Sequence, residues 1–150
     1  RDGKIVAVAG EAISPKGYGG DVGVLVGLRP NGEIRAVVVT SHQETPGLGT
    51  QVTDRKEQRS VWSFLEGDNN EQNASAPSKN KTNLPPNPYL DQYAGEFTAS
   101  EAPYKVKQDG GDIQAVSGAT VSSRAVADGV SRICEAFDKH KKEIVGQKNE

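Results

Sequence analysis

Ser117-Gly118-Ala119-Thr120 stands directly before a stretch of helical periodicity, which sets the Thr120 hydroxyl beside backbone amides that have no intrahelical acceptor. Those N–H groups lie at the positive end of the helix macrodipole, and the small residues before them leave the approach open, so such a helix start suits a phosphate. The same letters also describe an ordinary Ser or Thr N-cap. No lysine follows them as it would in a P-loop. Arg124, one turn into the helix, is a candidate charge partner for a phosphate or else a solvated arginine. Ser117 is placed to hydrogen-bond the phosphate or the turn, and Ser122 to cap. Gly118 and Ala119 are small enough for a phosphate to reach the backbone.

A second group of residues, Glu44-Thr45-Pro46-Gly47-Leu48-Gly49, follows an apolar strand-like run. Proline fixes φ at the second position of a turn and glycine supplies positive φ at the third, so Thr45–Leu48 reads as a type II turn. Its two glycines let backbone approach a flat ring, with Glu44, Thr45 and Leu48 as polar and apolar contacts. A plain turn after a strand is the other reading. His42, at the strand end, reads as structural.

These segments carry a family resemblance. Ser117-Gly118-Ala119-Thr120 with Val121-Ser122-Ser123-Arg124-Ala125-Val126 resembles the flavinylation motif of the FMN-binding domain family. His42–Gly49 resembles the family's E-T-P-G-L-G loop, and Gly17-Tyr18-Gly19-Gly20 its preceding G-Y-G-G segment. Tyr89-Leu90-Asp91-Gln92-Tyr93-Ala94-Gly95 resembles the aromatic-x-x-Q-aromatic-x-G segment between the two signatures. The four occur in family order, and the resemblance runs from Ile13 to Phe137. One departure is Gln114, where many members carry Asp; Asp112 lies two residues earlier.

The resemblance implies FMN joined covalently by a phosphoester to Thr120, placed there by a flavin transferase that uses FAD. It implies an electron-transfer subunit of a membrane ion-translocating ferredoxin:NAD oxidoreductase of the Rnf type, an enzyme only as part of that complex. The sodium-translocating NADH:quinone reductase, or another extracytoplasmic chain, is the alternative setting. The implied partners are the other subunits of the complex and the transferase. The implied location is the extracytoplasmic (periplasmic) face of the cytoplasmic membrane, through an N-terminal transmembrane helix lying outside this sequence. No acid–base catalytic pair and no metal are expected, because the cofactor does the redox work while the protein holds and tunes it. A covalent tether also keeps the local cofactor concentration high whatever its intrinsic affinity.

Composition agrees with a single ordinary domain over residues 1–150. The net charge of −2, with both signs interspersed, leaves no electrostatic footprint for nucleic acid or anionic lipid. The one cysteine, Cys134, has no internal disulfide partner and reads as a small buried hydrophobe on the last helix. No Gly-x-Ser-x-Gly is present to suggest a hydrolase. The chain has no methionine and begins at Arg1, which reads as a chain whose start has been removed. No apolar run approaches the roughly 20 residues needed to span a bilayer.

The elements that must position these residues follow from periodicity. The fold class read here is α+β: a twisted, largely antiparallel sheet flanked by helices. Lys4–Ile13, Val22–Leu28 and Glu33–His42 read as a three-stranded meander, with Pro30-Asn31-Gly32 as a reverse turn. Apolar groups on both faces of the third strand suggest that it is the central one. Asp54–Leu65 reads as a short helix. Residues 66–88 are polar and of low complexity, a mobile surface insertion in which the Asn73 sequon and Ser78-x-x-Lys81 are accidental. Tyr104–Lys107 and Ile113–Val116 are candidate strands around a turn at 109–112. Val121–Lys142 is an amphipathic helix with Val126, Val130, Ile133 and Phe137 as its apolar stripe.

Overall fold

The side chains of Val22, Val24, Val26 and Leu28 are all fully buried, because the two-residue period of strand β2 (Val22–Leu28) puts them on one face. In the computed structural model, which describes residues 4–55 and 84–146, β2 lies between β1 (Val8–Ser14) and β3 (Ile34–Ser41) in an antiparallel meander ordered β1-β2-β3. Register pairs Val8 with Leu28 and Ser14 with Val22 on one side, and Leu28 with Ile34 and Val24 with Val39 on the other. The protein is therefore α+β, as expected. Ile5 and Val6, assigned to the first strand from sequence, precede it and are exposed.

The centre of the sheet is β2, not the third strand. The outer edge of β3 is instead occupied by other parts of the chain. Ile34 N–H donates to Phe97 O at 3.1 Å, and Gly95 N–H donates to Ile34 O at 2.9 Å. Val37 O accepts from Arg55 Nε at 3.3 Å and Nη2 at 2.8 Å. At these positions the strand edge is not free to pair with another chain.

Among the described residues three α-helices complete the architecture: α1 (Thr50–Thr53), α2 (Pro88–Asp91) and α3 (Thr120–Gly146). Asn87 starts α2 by accepting the Leu90 N–H at 3.0 Å, with proline at the first helical position. The stripe Val126, Val130, Ile133 and Phe137 is buried, and α3 packs on the sheet through β1 and β2. Cys134 is also fully buried, and desolvation pushes its thiol up to about 12, with the neighbouring Tyr104 hydroxyl acting in the opposite direction. It is a core group, as its position on the apolar face suggested.

Several local expectations are revised. Asp54 and Arg55 are not helical: Asp54, at φ −96° and ψ 128°, ends the single turn of α1, and the remainder of the expected Asp54–Leu65 helix lies outside the described residues. Most of the polar insertion lies outside them too. The strands expected at Tyr104–Lys107 and Ile113–Val116 reduce to one parallel bridge, Val106 to Ile113, because Lys107–Asp109 turns as a 3-10 helix ended by Gly110 at φ 82°. The last helix begins at Thr120 itself and runs to Gly146.

Asp128 fastens α3 to the end of β1. Its carboxyl accepts from Ser14 Oγ at 2.9 Å, Lys16 Nζ at 2.7 Å and Arg132 Nε at 2.8 Å. Burial acts to raise its pKa, but these donors outweigh it and hold the carboxyl below the ordinary range. A native pKa below the unfolded value of about 3.9 means that the contribution to stability is complete above that value and is lost as pH falls toward the native one. Asp128→Asn is therefore expected to remove part of the acid-side fall in stability, measured as the slope of unfolding free energy against pH below about 4.

Candidate cofactor site

Strand β3 delivers the chain into the Glu44–Gly49 loop. Leu48 N–H donates to Thr45 O at 3.3 Å and Gly47 has φ 84°, so the type II turn forms where proline and glycine place it. Gly47 N–H also donates to Thr50 Oγ1 at 2.9 Å, which ties the turn to α1. His42 braces the loop from behind. Its Nδ1 accepts the Glu44 N–H at 3.2 Å, leaving Nε2 to donate to Asp54 at 2.8 Å. Thr45 and Leu48 turn outward, whereas the Glu44 side chain turns inward and is buried.

The start of α3 forms the facing wall. Gly118, at φ 78°, reverses the chain, and Ala119 N–H donates to Val116 O at 3.0 Å. Ala119 O then accepts both the Ser123 N–H at 3.0 Å and the Ser123 hydroxyl at 2.9 Å, while Ser123 Oγ accepts the Val116 N–H at 3.1 Å. Ser123 thus braces the turn from below. Ser122 does not cap the helix, because its hydroxyl donates across to the Glu44 carboxyl. Among the described residues, the amides of Thr120, Val121 and Ser122 have no protein acceptor, as the geometry of a helix start requires.

Glu44 joins three segments that are far apart in sequence. One carboxyl oxygen accepts the Gly19 N–H at 3.1 Å, and the other accepts the Tyr18 N–H at 3.3 Å and the Ser122 hydroxyl. The glycine-rich turn, the Glu44–Gly49 loop and the start of α3 therefore meet at one buried side chain. Between them lies a cleft of about 460 Å³, lined on one side by Tyr18, Glu44, Thr45, Leu48 and Gly49 and on the other by residues 118–122. Its rim is apolar: Tyr18 is 72% exposed, Leu48 51% and Val121 41%.

Of the site residues read from sequence, Glu44, Thr45, Leu48, Gly118, Ala119 and Thr120 all line this cleft. Ser117 is exposed next to it. Arg124 lies elsewhere, in a second cleft of about 450 Å³ along α3. There its guanidinium forks onto the Asp109 carboxyl at 2.6 and 2.7 Å, a pairing that holds Asp109 below the usual carboxylate range.

Sequence reasoning did not single out Tyr18 or Val121 as site residues, or the supports of the α3 start. Gln92 Oε1 accepts the Gln114 N–H at 2.8 Å, and Gln92 Nε2 donates to Gln114 O at 3.1 Å and Tyr89 O at 2.9 Å. Tyr89 Oη donates to Ser123 O at 2.6 Å. The Tyr89–Gly95 segment thus grips the chain on both sides of Ser117–Thr120. At position 114 it holds the backbone and not the side chain.

A sequence model of the FMN-binding domain family matches residues 17–135, which contain both walls of the cleft. The chain belongs to the FMN-binding domain family. This FMN-binding domain is similar to proteins named as the G subunit of an ion-translocating oxidoreductase complex. It is 33% identical to the one from Shewanella oneidensis, over 97% of this chain and 55% of that protein. With its counterpart in Vibrio cholerae it shares 32% identity over 99% of this chain and 58% of the relative. The Haemophilus influenzae protein is 35% identical over 88% of this chain and 50% of its own length. The FMN-binding domain therefore spans about half the length of these curated relatives.

The residues around the cleft fit FMN. Its volume falls within the ~300–1,000 Å³ typical of small-molecule sites, with apolar walls and few polar groups. Three unpaired amides and the partly exposed Thr120 hydroxyl gather at one end, where a phosphate would meet donors and a positive dipole.

Proposed function

We propose that this domain carries FMN joined by a phosphoester to the Thr120 hydroxyl and serves as the electron-carrying G subunit of an ion-translocating ferredoxin:NAD oxidoreductase of the Rnf type. The observation that supports this reading best is the meeting of Thr120 with the Glu44–Gly49 loop across one apolar-rimmed cleft. Bound FMN supplies one- and two-electron redox chemistry; the chain supplies its position and surroundings.

Each wall has its task. Thr120 offers the oxygen for attachment, and the amides of residues 120–122 face the phosphate without needing a lysine. A phosphate at an exposed helix start is favoured by about 0.3–1 kcal/mol. Leu48 and Val121 give the ring an apolar bed, and Thr45 a polar contact at the loop. Ser117, exposed beside the turn, is a further donor. Arg124 is engaged by Asp109 and lies outside this arrangement.

In the proposed setting the whole chain forms one domain on the periplasmic face of the membrane. It is modified by a flavin transferase, docks with the other subunits, and is anchored by an N-terminal helix. Among the described residues no helix is long and apolar enough to cross a membrane. The relatives' names, as subunits of an ion-translocating oxidoreductase complex, support that setting.

The test is the intact mass of the protein co-expressed with a flavin transferase, compared with Thr120→Ala. A gain of one FMN in the wild type and none in the variant is the expected result. A gain that persists in Thr120→Ala moves the attachment to another residue and overturns the assignment.

A further inference from the structure

We propose that Tyr18 is the aromatic contact of the flavin, laying its phenol ring against the isoalloxazine and thereby setting the brightness and the potential of the cofactor; this rests on the reading of the cleft as an FMN site. Tyr18 is the most exposed large hydrophobic side chain among the described residues, at 72%, and it stands on the rim of the cleft that holds Thr120. Its ring takes no part in the aromatic cluster of Tyr89, Tyr93, Phe97 and Tyr104, and among the described residues its hydroxyl has no hydrogen-bond partner. Single exposed apolar side chains are ordinary, but Tyr18 shares the rim of one cleft with the exposed Leu48 and Val121, and a contiguous apolar rim marks a binding surface.

The backbone under the ring is fixed. Tyr18 N–H is held by Glu44, and its neighbours Gly17 and Gly19 pack so closely that a Cβ would fall 2.1 Å from Gly20 O and 1.8 Å from Gln43 O, respectively. The turn therefore presents one large side chain from a defined path. Leu48 and Val121, the other exposed apolar groups of the rim, are aliphatic. The three together make a place for a flat apolar ring in which only Tyr18 supplies π-contact.

Two consequences follow from the chemistry of a phenol against a flavin. Light-excited isoalloxazine accepts one electron from a phenol in contact and returns it, so contact darkens the flavin with no net reaction. The electron-rich phenol face also disfavours the electron-rich reduced ring more than the oxidised one, which lowers the midpoint potential.

Tyr18→Leu, made in the full chain co-expressed with a flavin transferase, keeps an apolar side chain and removes the π-face. The expected result is FMN loading equal to wild type by intact mass, several-fold brighter flavin fluorescence and a higher midpoint potential, with Tyr18→Trp restoring the quenching. A loaded Tyr18→Leu protein with wild-type fluorescence and potential overturns the proposal. Absence of an FMN mass on the wild type would instead count against Thr120 as the attachment site. Tyr18 is then tested on free FMN titrated into the Thr120→Ala protein: quenching lost with Tyr18→Leu supports the contact, and equal quenching refutes it.

Discussion

Glu44→Ala is expected to destabilise the protein by about 2–4 kcal/mol and to cut FMN attachment sharply although Thr120 is untouched. The substitution leaves the Tyr18 and Gly19 amides and the Ser122 hydroxyl without their shared acceptor. A buried donor left unsatisfied costs about 1–3 kcal/mol, and water reaching the open side of the cleft reclaims part of that for the two amides. The corresponding fall in Tm is on the order of 10 °C. Glu44→Gln is the sharper probe, because an amide offers one acceptor oxygen where these three donors use two. A double-mutant cycle with Ser122→Ala isolates the contact across the cleft, with a coupling of about 0.5–3 kcal/mol expected for residues that touch. Urea unfolding supplies the free energies and intact mass supplies the loading. Additive effects in the cycle, with wild-type loading of Glu44→Gln, would show that the cleft is held by something else.

Arg55→Met is expected to cost about 3–5 kcal/mol, the range for breaking a buried ion pair from one side. The Arg55 side chain is 7% exposed and its Asp91 partner 15%, at 2.7 Å. Its remaining donors serve Val37 O on the edge of β3 and Pro85 O at 2.9 Å. One guanidinium thus closes a strand edge and binds the chain on either side of residues 56–83. Among the described residues, Asp91 would keep only the Asn87 N–H, at 3.1 Å, as a donor. Urea unfolding with an unchanged m-value is the measurement, and a loss below about 1 kcal/mol would place Arg55 among ordinary surface cations.

How much of this was legible in the sequence depends on whether the cause was local. The type II turn at Thr45–Leu48 follows from proline and glycine alone, and the buried faces of β2 and α3 follow from periods of two and 3.6. The order of the strands was not legible. Apolar residues on both faces of β3 do not distinguish a central strand from an edge strand, and what lies along its edge is the backbone of residues 95–97 and one arginine, both distant in sequence.

The candidate site divides along the same line. That Thr120 and Leu48 share a cleft was expected from a family resemblance; nothing in the spacing of the letters brings positions 48 and 120 together. Glu44 lines the cleft as expected, yet its carboxyl engages protein donors that only the folded chain brings to it. Gln92 shows how a polar residue in a short aromatic segment escapes a site list, because its two hydrogen bonds to Gln114 span 22 positions. Tyr104–Lys107 misread as a strand because β-branched and aromatic letters mark burial as readily as sheet.

The contact between Glu44 and Ser122 spans 78 positions, so the two sides of the cleft do not coexist in a nascent or unfolded polypeptide. An enzyme that recognises both sides at once would discriminate finished molecules from unfinished ones. Pigmentation would then serve as a certificate of maturity, and the yellow fraction of a preparation would count the molecules that had brought these two distant segments together before modification.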